Sequence, residues 1–308
     1  MIIVIIKKGD NMKREELIYK NQREFDCKDI FECGQCFRWH REEDGSYTGV
    51  TKIGVLNVKK VGNDVVIVGD IEEKENLKSF CDDYFDMSTN YREIQDEISK
   101  NDKTMKEAIE FGSGIRILNQ NSWELLISFI ISAANNIPRI SKTIENLSKG
   151  FGTLVKSDVS GELKDYYLFP SPKQLKKATM DELRGCNLGF RDKYVFEATR
   201  LVSEDELSLE MIEKDQYVIA KKELLKIPGV GSKVADCILL FSMKKKEAFP
   251  VDTWIKQIMN EVYIDSKNVR KIEEYARNKF GENSGIAQQY LFYYKREQWL
   301  LTQKKVAL

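Results

Sequence analysis

The segment Lys226–Phe241, KIPGVGSKVADCILLF, constrains the fold of this chain more than any other. Pro228 fixes its own φ and disfavours helical backbone at Ile227, so the preceding helix is expected to end there. Two glycines follow, and glycine tolerates positive φ and leaves space for a close approach. The segment therefore predicts two helices joined by a short hairpin, over residues 221–241.

The hairpin has the features of a phosphate-binding turn. The backbone N–H groups of Gly229 and Gly231, together with the start of the next helix, form a concavity that suits a phosphate oxygen. We expect Ser232 to be the N-cap of that helix, with Lys233 and Cys237 one turn apart on one face. On these residues alone, a glycine-containing turn between packed helices, with a solvated lysine, explains the pattern equally well.

Asp252 lies eleven positions after Phe241, behind a short extended run that contains Pro250. Apolar residues at helical spacing follow it, which predicts a helix over 253–262 with Asp252 as its N-cap. A carboxylate at a helix N-terminus is held in place and kept ionised. Asp252 is therefore a candidate for catalysis as well as for capping.

A hairpin lysine followed by an aspartate at this distance resembles the helix-hairpin-helix DNA glycosylase superfamily. More narrowly, the chain resembles the bifunctional 8-oxoguanine DNA glycosylases/AP lyases, and the similarity extends from Phe31 to Phe292. The run Pro228–Cys237 is its most specific part. The other matching segments are Gly34–Trp39, Gly114–Leu118, Ser128–Ile130, Asn135–Ile137, Leu188–Arg191, Ala287–Gln288 and Leu291–Phe292.

The resemblance implies a covalent mechanism with two catalytic residues. Lys233 would attack the sugar C1′ of an extruded nucleotide and form an imine that permits strand cleavage by β-elimination. Asp252 would stabilise the positive charge that develops on the sugar ring. Because only the uncharged amine attacks, the surroundings of Lys233 are expected to disfavour its ammonium form.

The resemblance also implies a set of base-binding residues. N7 carries a hydrogen in 8-oxoguanine but is an acceptor in guanine, so a backbone carbonyl directed at N7 distinguishes the two bases. That carbonyl is assigned to Gly34. Phe292 and Cys237 would sandwich the flipped base, and Gln288 would bind its Watson–Crick edge. Taken alone, Gly34 is explained equally by a turn, and Phe292 is better explained by core packing.

Contacts to the duplex are implied in the same way. Arg139 and Arg191 correspond to residues that contact the cytosine left unpaired, and Phe190 to an aromatic wedge beside it. The remaining residues assigned to DNA contact are Asn135, Asn136, Gly229, Gly231, Val234 and Trp254.

Two positions depart from the family pattern. Family members have an asparagine, which fills the gap in the duplex, where this chain has Ala134, and Asn135 is the neighbouring candidate for that role. They usually have a histidine where this chain has Trp254. We therefore expect a weaker preference for cytosine opposite the lesion than in members that retain the asparagine.

The net charge of zero argues neither for nor against DNA binding, because an enzyme that flips one base needs only a local basic face. The candidates for a basic face are Arg139 with Lys142, Arg184 with Arg191 and Lys193, Lys295 with Arg296, and Lys304 with Lys305. The last two pairs, near the C-terminus, are interpreted as solvated surface.

The six cysteines show no disulfide framework, which predicts a reduced, cytoplasmic protein, associated with the nucleoid if it is bacterial. Cys33 and Cys36 have metal-ligand spacing but no second pair, and His40 is the single histidine. The chain also lacks the four-cysteine cluster of the iron–sulfur branches of the superfamily. We expect neither a metal nor a cofactor.

The hydrophobic pattern predicts an α+β fold in which an N-terminal antiparallel sheet domain (1–112) packs on a helical domain (113–308). The first ten residues are too short to span a membrane and are interpreted as an edge strand, or as a segment preceding a true start at Met12. Predicted strands are 47–50, 53–58 and 65–68. Predicted helices are 72–85, 91–101, 123–134, 137–147, 180–184, 193–202, 217–227, 232–241, 253–262, 269–280 and 286–294, with a polar connection over 161–172.

The expected partner is double-stranded DNA with 8-oxoguanine opposite cytosine, bound by a monomer that does not engage a membrane. Two alternatives remain open at this point. A monofunctional glycosylase for other damaged purines would explain Asp252 but has no use for Lys233. A non-enzymatic DNA-binding module would explain only the hairpin glycines.

Overall fold

The first quarter of the chain forms one antiparallel sheet. A computed structural model of the protein describes residues 3–7 and 12–306. The strands of the sheet are β1 (Ile3–Lys7), β2 (Met12–Tyr19), β3 (Trp39–Arg41), β4 (Tyr47–Thr51), β5 (Gly54–Val61) and β6 (Asp64–Glu72). Their order across the sheet is β1-β2-β6-β5-β4-β3, and every neighbouring pair is antiparallel.

Turn chemistry and alternation explain the register of the sheet. Gly62, at φ 60°, makes the tight connection between β5 and β6. Val58 then lies opposite Ile67, and both side chains are fully buried on the inner face. That face packs on an aromatic cluster in which the ring centroids of Phe25 and Phe85 are 5.5 Å apart. The pairing is fixed because a slip of one residue would turn these side chains to solvent.

The remainder of the chain is mainly helical. Asparagine and aspartate cap many of the helices, since their side chains accept the free N–H groups of the first turn. The helices are α1 (Cys27–Glu32), α2 (Leu77–Tyr84), α3 (Tyr91–Ile98), α4 (Lys103–Phe111), α5 (Ser122–Ser132), α6 (Ile137–Phe151), α7 (Pro172–Leu175), α8 (Met180–Gly185), α9 (Asp192–Ser203), α10 (Leu209–Lys214), α11 (Tyr217–Leu224), α12 (Ser232–Ser242), α13 (Thr253–Ile258), α14 (Val269–Phe280) and α15 (Ser284–Val306). A second, two-stranded sheet consists of β7 (Leu154–Ser157) and β8 (Lys164–Tyr167).

The larger of two hydrophobic cores lies around α5, whose residues from Trp123 to Ile131 are nearly all buried. Helix α12 packs against α5, and the rings of Phe129 and Phe241 stack with centroids 5.9 Å apart. Because α12 is buried from Val234 onward, its first turn is the part that reaches the surface. This arrangement presents the N-terminus of α12 at an open face of the molecule.

The predicted α+β architecture is confirmed, including the antiparallel sheet, the buried central helix and the two helices of the hairpin. The edge strand expected near the N-terminus is present as β1, whereas Lys8, Gly9 and Asp10 lie outside the described residues. The helix predicted over 286–294 is longer, because residues 295–306 are good helix formers without glycine or proline.

Several local predictions are wrong. Gly231, not Ser232, is the N-cap of α12, because the Ser232 hydroxyl donates to Glu273 instead. The helix predicted over 72–85 begins only at Leu77, since β6 continues to Glu72. The helix predicted over 253–262 changes to a π-helical turn after Ile258. Strands β2, β3, β7 and β8 and helices α1, α4, α7 and α10 were not predicted.

The two cores interleave along the chain. Leu118 packs in the smaller core under the sheet, whereas Cys33 and Phe37, from the first forty residues, pack in the larger one. The domain boundary at 112/113 stays a prediction. Over the described part of the chain, no helix is both long enough and apolar enough to cross a bilayer.

Candidate active site

The hairpin between α11 and α12 uses its two glycines differently. Gly229 has φ 88°, and a Cβ there would lie 2.7 Å from Cγ of Tyr194. Gly231 has an extended backbone, with φ −94° and ψ 178°, and a Cβ there would meet no atom within 4 Å. Gly229 is therefore required by the fold, while Gly231 leaves the outer surface of the hairpin clear.

Lys233 lies two residues after Gly231, in the first turn of α12. Its side chain is half-buried, and its ammonium lies 5.0 Å from the ring centroid of Phe129 on α5. Cys237 lies one helical turn after Lys233. Burial raises the pKa of the Cys237 thiol to about 11, although the positive charge of Lys233 acts in the opposite direction. At neutral pH the Lys233 amine thus lies beside an uncharged thiol.

Asp252 is the N-cap of α13, as predicted, and its Oδ1 accepts the N–H of Ile255 at 2.9 Å. Burial raises the pKa of Asp252 above its ordinary value, while the Ile255 N–H and the charge of Lys233 act to lower it. The cap fixes this carboxylate at the edge of the cavity that Lys233 also lines.

Every residue that the sequence assigned to catalysis or base binding lines one pocket. Its volume is about 50 Å³, enough for a few water molecules and too small for a purine. The walls of the pocket must therefore move apart before a base can enter. The lining residues are Gly34, Phe129, Lys233, Cys237, Phe241, Pro250, Asp252, Gln288, Gln289 and Phe292.

Gly34 forms one wall of the pocket, in the loop that follows α1. Its φ is 88°, and a Cβ there would lie 3.2 Å from Cε1 of Phe292. Both its backbone conformation and the space available therefore favour glycine. Gln288 faces the same pocket from α15, and its buried Oε1 has no hydrogen-bond partner among the described residues.

A second cluster surrounds the loop between α5 and α6. The Arg191 guanidinium is buried, donating hydrogen bonds to the carbonyl oxygens of Ala133 and, at 2.9 Å, Ala134. The same guanidinium lies 4.3 Å from the ring centroid of Phe190, which is 58% exposed. This structure thus gives Arg191 a supporting role beneath an exposed aromatic ring, and its contact with cytosine stays a prediction.

The charges of this cluster favour an anionic partner. Burial lowers the pKa of Arg191, and the nearby positive charge of Arg139 lowers it further. Arg184, in contrast, pairs with Asp181 and Asp192 at 3.0 and 2.9 Å, so its charge is compensated. Arg139, which is exposed, is therefore a stronger candidate for contact with DNA than Arg184.

The other residues assigned to DNA contact differ in burial and in the partners that their side chains bind. Asn136 caps α6 by accepting the Arg139 N–H at 3.1 Å, and Asn135 donates to the carbonyl of Ile131. The Val234 side chain is buried, which leaves its backbone N–H, in the first turn of α12, for a phosphate. Trp254 pairs with Trp299, with ring centroids 5.2 Å apart.

The described residues offer no group of three or more histidine, cysteine, aspartate or glutamate side chains placed to bind a metal ion. The thiols of Cys33 and Cys36 instead donate to the carbonyl oxygens of Ile30 and Phe31.

Sequence reasoning did not assign a role to Phe129, Phe241, Pro250 or Gln289, all of which line the pocket. It also interpreted Arg296 as solvated surface, although the side chain of Arg296 is only 12% exposed and packs beside Gly34 and Phe292. The four-residue spacing of Gln288, Phe292 and Arg296 on one helix could have indicated that Arg296 lies beside the pocket.

Two family models match consecutive parts of the chain. Residues 17–126 match the N-terminal domain of 8-oxoguanine DNA glycosylase. Residues 127–282 match the HhH-GPD superfamily of base excision DNA repair proteins. Together these matches include strands β3 to β6, the hairpin and Asp252.

Solved structures and curated proteins agree with the family models. The crystal structure of Clostridium acetobutylicum 8-oxoguanine glycosylase/lyase, bound to dsDNA containing cytosine opposite 8-oxoG, is 43% identical to this chain. The superposition covers 97% of this chain and 98% of that chain, with a TM-score of 0.87. The N-glycosylase/DNA lyase of Saccharomyces cerevisiae is 32% identical, over 82% of this chain and 72% of its own length. The N-glycosylase/DNA lyase OGG1 of Arabidopsis thaliana is 30% identical, over 85% and 75%.

Proposed function

The chain belongs to the HhH-GPD superfamily of base excision DNA repair proteins, and from this membership we propose that it is a bifunctional 8-oxoguanine DNA glycosylase and AP lyase. The observation that carries the proposal is a single pocket lined by Lys233, Asp252 and the Gly34 backbone. The similarity to named glycosylase/lyases over nearly the whole chain supports both activities.

The proposed chemistry begins with extrusion of the damaged nucleotide, because its C1′ is inaccessible in a stacked duplex. The Lys233 amine forms a bond to C1′ while the bond from C1′ to the base breaks, and the base leaves with the bonding electrons and takes up a proton. The attack requires the uncharged form of the amine. The Asp252 carboxylate stabilises the positive charge on the sugar ring.

Strand cleavage follows from the covalent intermediate. Opening of the sugar ring converts the Lys233 adduct to an imine, with the ring oxygen taking up a proton. Loss of a proton from C2′ then expels the 3′ phosphate by β-elimination. The excised base, still in the pocket, is the proposed carrier of protons between these steps.

Base selection is assigned to the pocket walls. The Gly34 carbonyl accepts the N7–H of 8-oxoguanine and repels the N7 lone pair of guanine, and a buried polar mismatch of this kind discriminates strongly. Cys237 and Phe292 hold the two faces of the base, and Gln288 binds its Watson–Crick edge. The raised pKa of Cys237 keeps the thiol uncharged and suited to packing against a base.

The proposed partner is double-stranded DNA that carries 8-oxoguanine opposite cytosine, as in the complex of the Clostridium relative. The hairpin N–H groups of Gly229, Gly231 and Val234 bind a phosphate. Phe190 fills the space beside the unpaired base, and Arg139 and Arg191 approach that base. We further propose that the protein acts as a monomer inside the cell.

Borohydride trapping on a duplex containing 8-oxoguanine opposite cytosine tests the proposal. Reduction of the imine is expected to link the wild-type protein covalently to the DNA. Lys233→Gln keeps a side chain of similar length without an amine, so it is expected to form no adduct and to lower the excision rate by roughly 10³-fold or more.

The same assay separates the alternatives. Base release without an adduct from the wild-type protein would indicate a monofunctional glycosylase. Binding to the duplex without base release would indicate a DNA-binding module. An adduct that persists in Lys233→Gln would show that another amine is the nucleophile.

A further inference from the structure

Helix α15 carries a third residue on the face that lines the base pocket. Gln288, Phe292 and Arg296 are four residues apart, so their side chains follow one another along one side of the helix. The Arg296 Cζ lies 5.4 Å from the ring centroid of Phe292. Arg296 therefore lies directly behind the aromatic wall of the pocket.

Arg296 and Gln289 together hold the loop that carries Gly34. Arg296 Nη2 donates to the carbonyl oxygen of Glu32 at 2.6 Å, and Gln289 Nε2 donates to that of Cys33 at 2.7 Å. Glu297 accepts from both Nε and Nη2 of Arg296 at 3.0 and 2.8 Å, which orients the guanidinium. Helix α15 thus holds the loop immediately before Gly34.

The loop is equally constrained on the other side of Gly34. Gln35 is fully buried, its Nε2 donates to the carbonyl of Arg116 at 2.8 Å, and its Oε1 accepts the Leu118 N–H at 2.9 Å. The Gln35 carbonyl accepts from Gln120 Nε2 at 2.8 Å. Gly34 is therefore held between two fixed neighbours, one set by α15 and one by the segment before α5.

One nitrogen of Arg296 remains unused. Nη1 is buried without a hydrogen-bond partner among the described residues, and it lies 3.1 Å from the position a Gly34 Cβ would take. Cε1 of Phe292 lies 3.2 Å from that same position. A buried, unpaired donor is rare in folded proteins and calls for an explanation. Here it lies where Gly34 and Phe292 meet.

We propose that Arg296 is a positioning residue for base recognition, which sets the separation between the Gly34 carbonyl and the Phe292 ring. The proposal rests on the proposed function and concerns the same pocket. Without the guanidinium, the loop loses its hydrogen bond at Glu32 and Phe292 loses the group that supports its outer face. The Gly34 carbonyl then moves relative to N7, and the hydrogen bond that distinguishes 8-oxoguanine weakens.

The two activities of the enzyme allow a specific test. Excision of 8-oxoguanine needs the pocket wall that contacts the base. Cleavage at a preformed abasic site needs Lys233 and starts with no base in the pocket, so that wall takes no part in it. Arg296→Met keeps the apolar stem and removes the guanidinium. Under single-turnover conditions it is expected to lower excision of 8-oxoguanine by roughly 10- to 100-fold, corresponding to loss of a buried hydrogen bond. Cleavage at an abasic site is expected to stay within about twofold of wild type.

Two further variants complete the experiment. Lys295→Met removes the adjacent positive charge, which pairs with Glu261 at 2.5 Å, and is expected to leave both activities unchanged. Arg296→Lys retains a positively charged donor but lacks the planar guanidinium with its several N–H groups. Its excision rate is expected to lie between those of the wild type and Arg296→Met. A parallel fall of both activities in Arg296→Met, or unchanged excision, would overturn the proposal. Absence of excision by the wild-type protein would instead overturn the proposed function.

Discussion

At the scale of single residues, Ala134 occupies a position where the family resemblance predicts an asparagine. Its φ is 48°, in the left-handed region that alanine seldom adopts. Its carbonyl oxygen is held there by the Arg191 guanidinium at 2.9 Å. The backbone therefore keeps a conformation that suits asparagine, although the side chain is alanine.

Ala134→Asn is accordingly expected to stabilise the protein by about 0.5–1 kcal/mol, because asparagine tolerates left-handed backbone better than alanine. It is also expected to raise the preference for cytosine opposite the lesion, since an amide in the duplex gap can form hydrogen bonds that a methyl group cannot. Denaturant unfolding measures the first effect. Single-turnover excision opposite each of the four bases measures the second, and an unchanged ratio among them would contradict it.

The helix starts that carry Lys233 and Asp252 could be predicted from the sequence because each depends on local backbone chemistry: a proline–glycine turn and a helix cap. Ser232 was assigned wrongly because its hydroxyl bonds to Glu273, forty-one residues away. Arg296 was missed for the same reason, as its partner is the carbonyl of Glu32 at the other end of the chain. Contacts between distant segments leave no local pattern, and for Arg296 only the four-residue spacing from Gln288 and Phe292 indicated a shared helix face.

At the scale of elements, the hairpin divides two tasks between its glycines. Gly229 packs against Tyr194 in a left-handed conformation, whereas Gly231 adopts an ordinary extended conformation beneath open space. The first glycine thus maintains the turn, and the second keeps its outer surface accessible to the DNA backbone.

A pair of alanine substitutions tests this division. Gly229→Ala is expected to cost about 2–4 kcal/mol of unfolding free energy, through positive φ and overlap with Tyr194. Gly231→Ala is expected to cost no more than about 1 kcal/mol of unfolding free energy, since alanine is a poorer N-cap than glycine, and to weaken duplex binding by roughly tenfold, because its methyl group faces the phosphate. Urea unfolding and fluorescence-anisotropy titration of each variant measure the two quantities. Wild-type affinity in Gly231→Ala would refute the phosphate-binding role.

At the scale of the whole molecule, a buried ionic network joins three helices beneath the hairpin. Lys221 on α11 pairs with Asp236 on α12 at 2.7 Å and with Glu273 on α14 at 3.2 Å. Tyr217 donates to the other oxygen of Asp236 at 2.9 Å. Breaking one member of such a network is costly because it leaves the others buried and uncompensated.

The network makes stability depend on pH in a defined direction. Burial raises the pKa of Asp236 to about 6, although Lys221 acts to lower it. Between pH 4 and 6 the unfolded chain therefore releases this proton while the folded protein retains it, so the stability contributed by Asp236 falls as pH rises. Relative to Asp236→Asn, the wild-type protein is expected to lose up to about 3 kcal/mol across this window.

Urea unfolding of both proteins from pH 4 to pH 7 measures that difference. Asp236→Asn also loses its ion pair with Lys221, so the informative quantity is the change of the difference with pH, not its absolute value. A difference that is constant over the window would show that Asp236 titrates normally in the folded state.

Six of the ten residues that line the pocket could be named from the sequence, but the size of the pocket could not be predicted. Its residues come from positions 34 to 292, and their meeting depends on the packing of α5, α12 and α15 around one core. Sequence similarity named most of the lining residues, whereas the narrowness of the cavity follows only from how closely the Gly34 loop approaches α15.

That narrowness has a consequence for inhibition. A free nucleobase has no attached duplex whose contacts could offset the cost of widening a cavity of about 50 Å³. Free purines are therefore expected to compete poorly with the damaged strand, and released bases are expected to inhibit the enzyme only weakly.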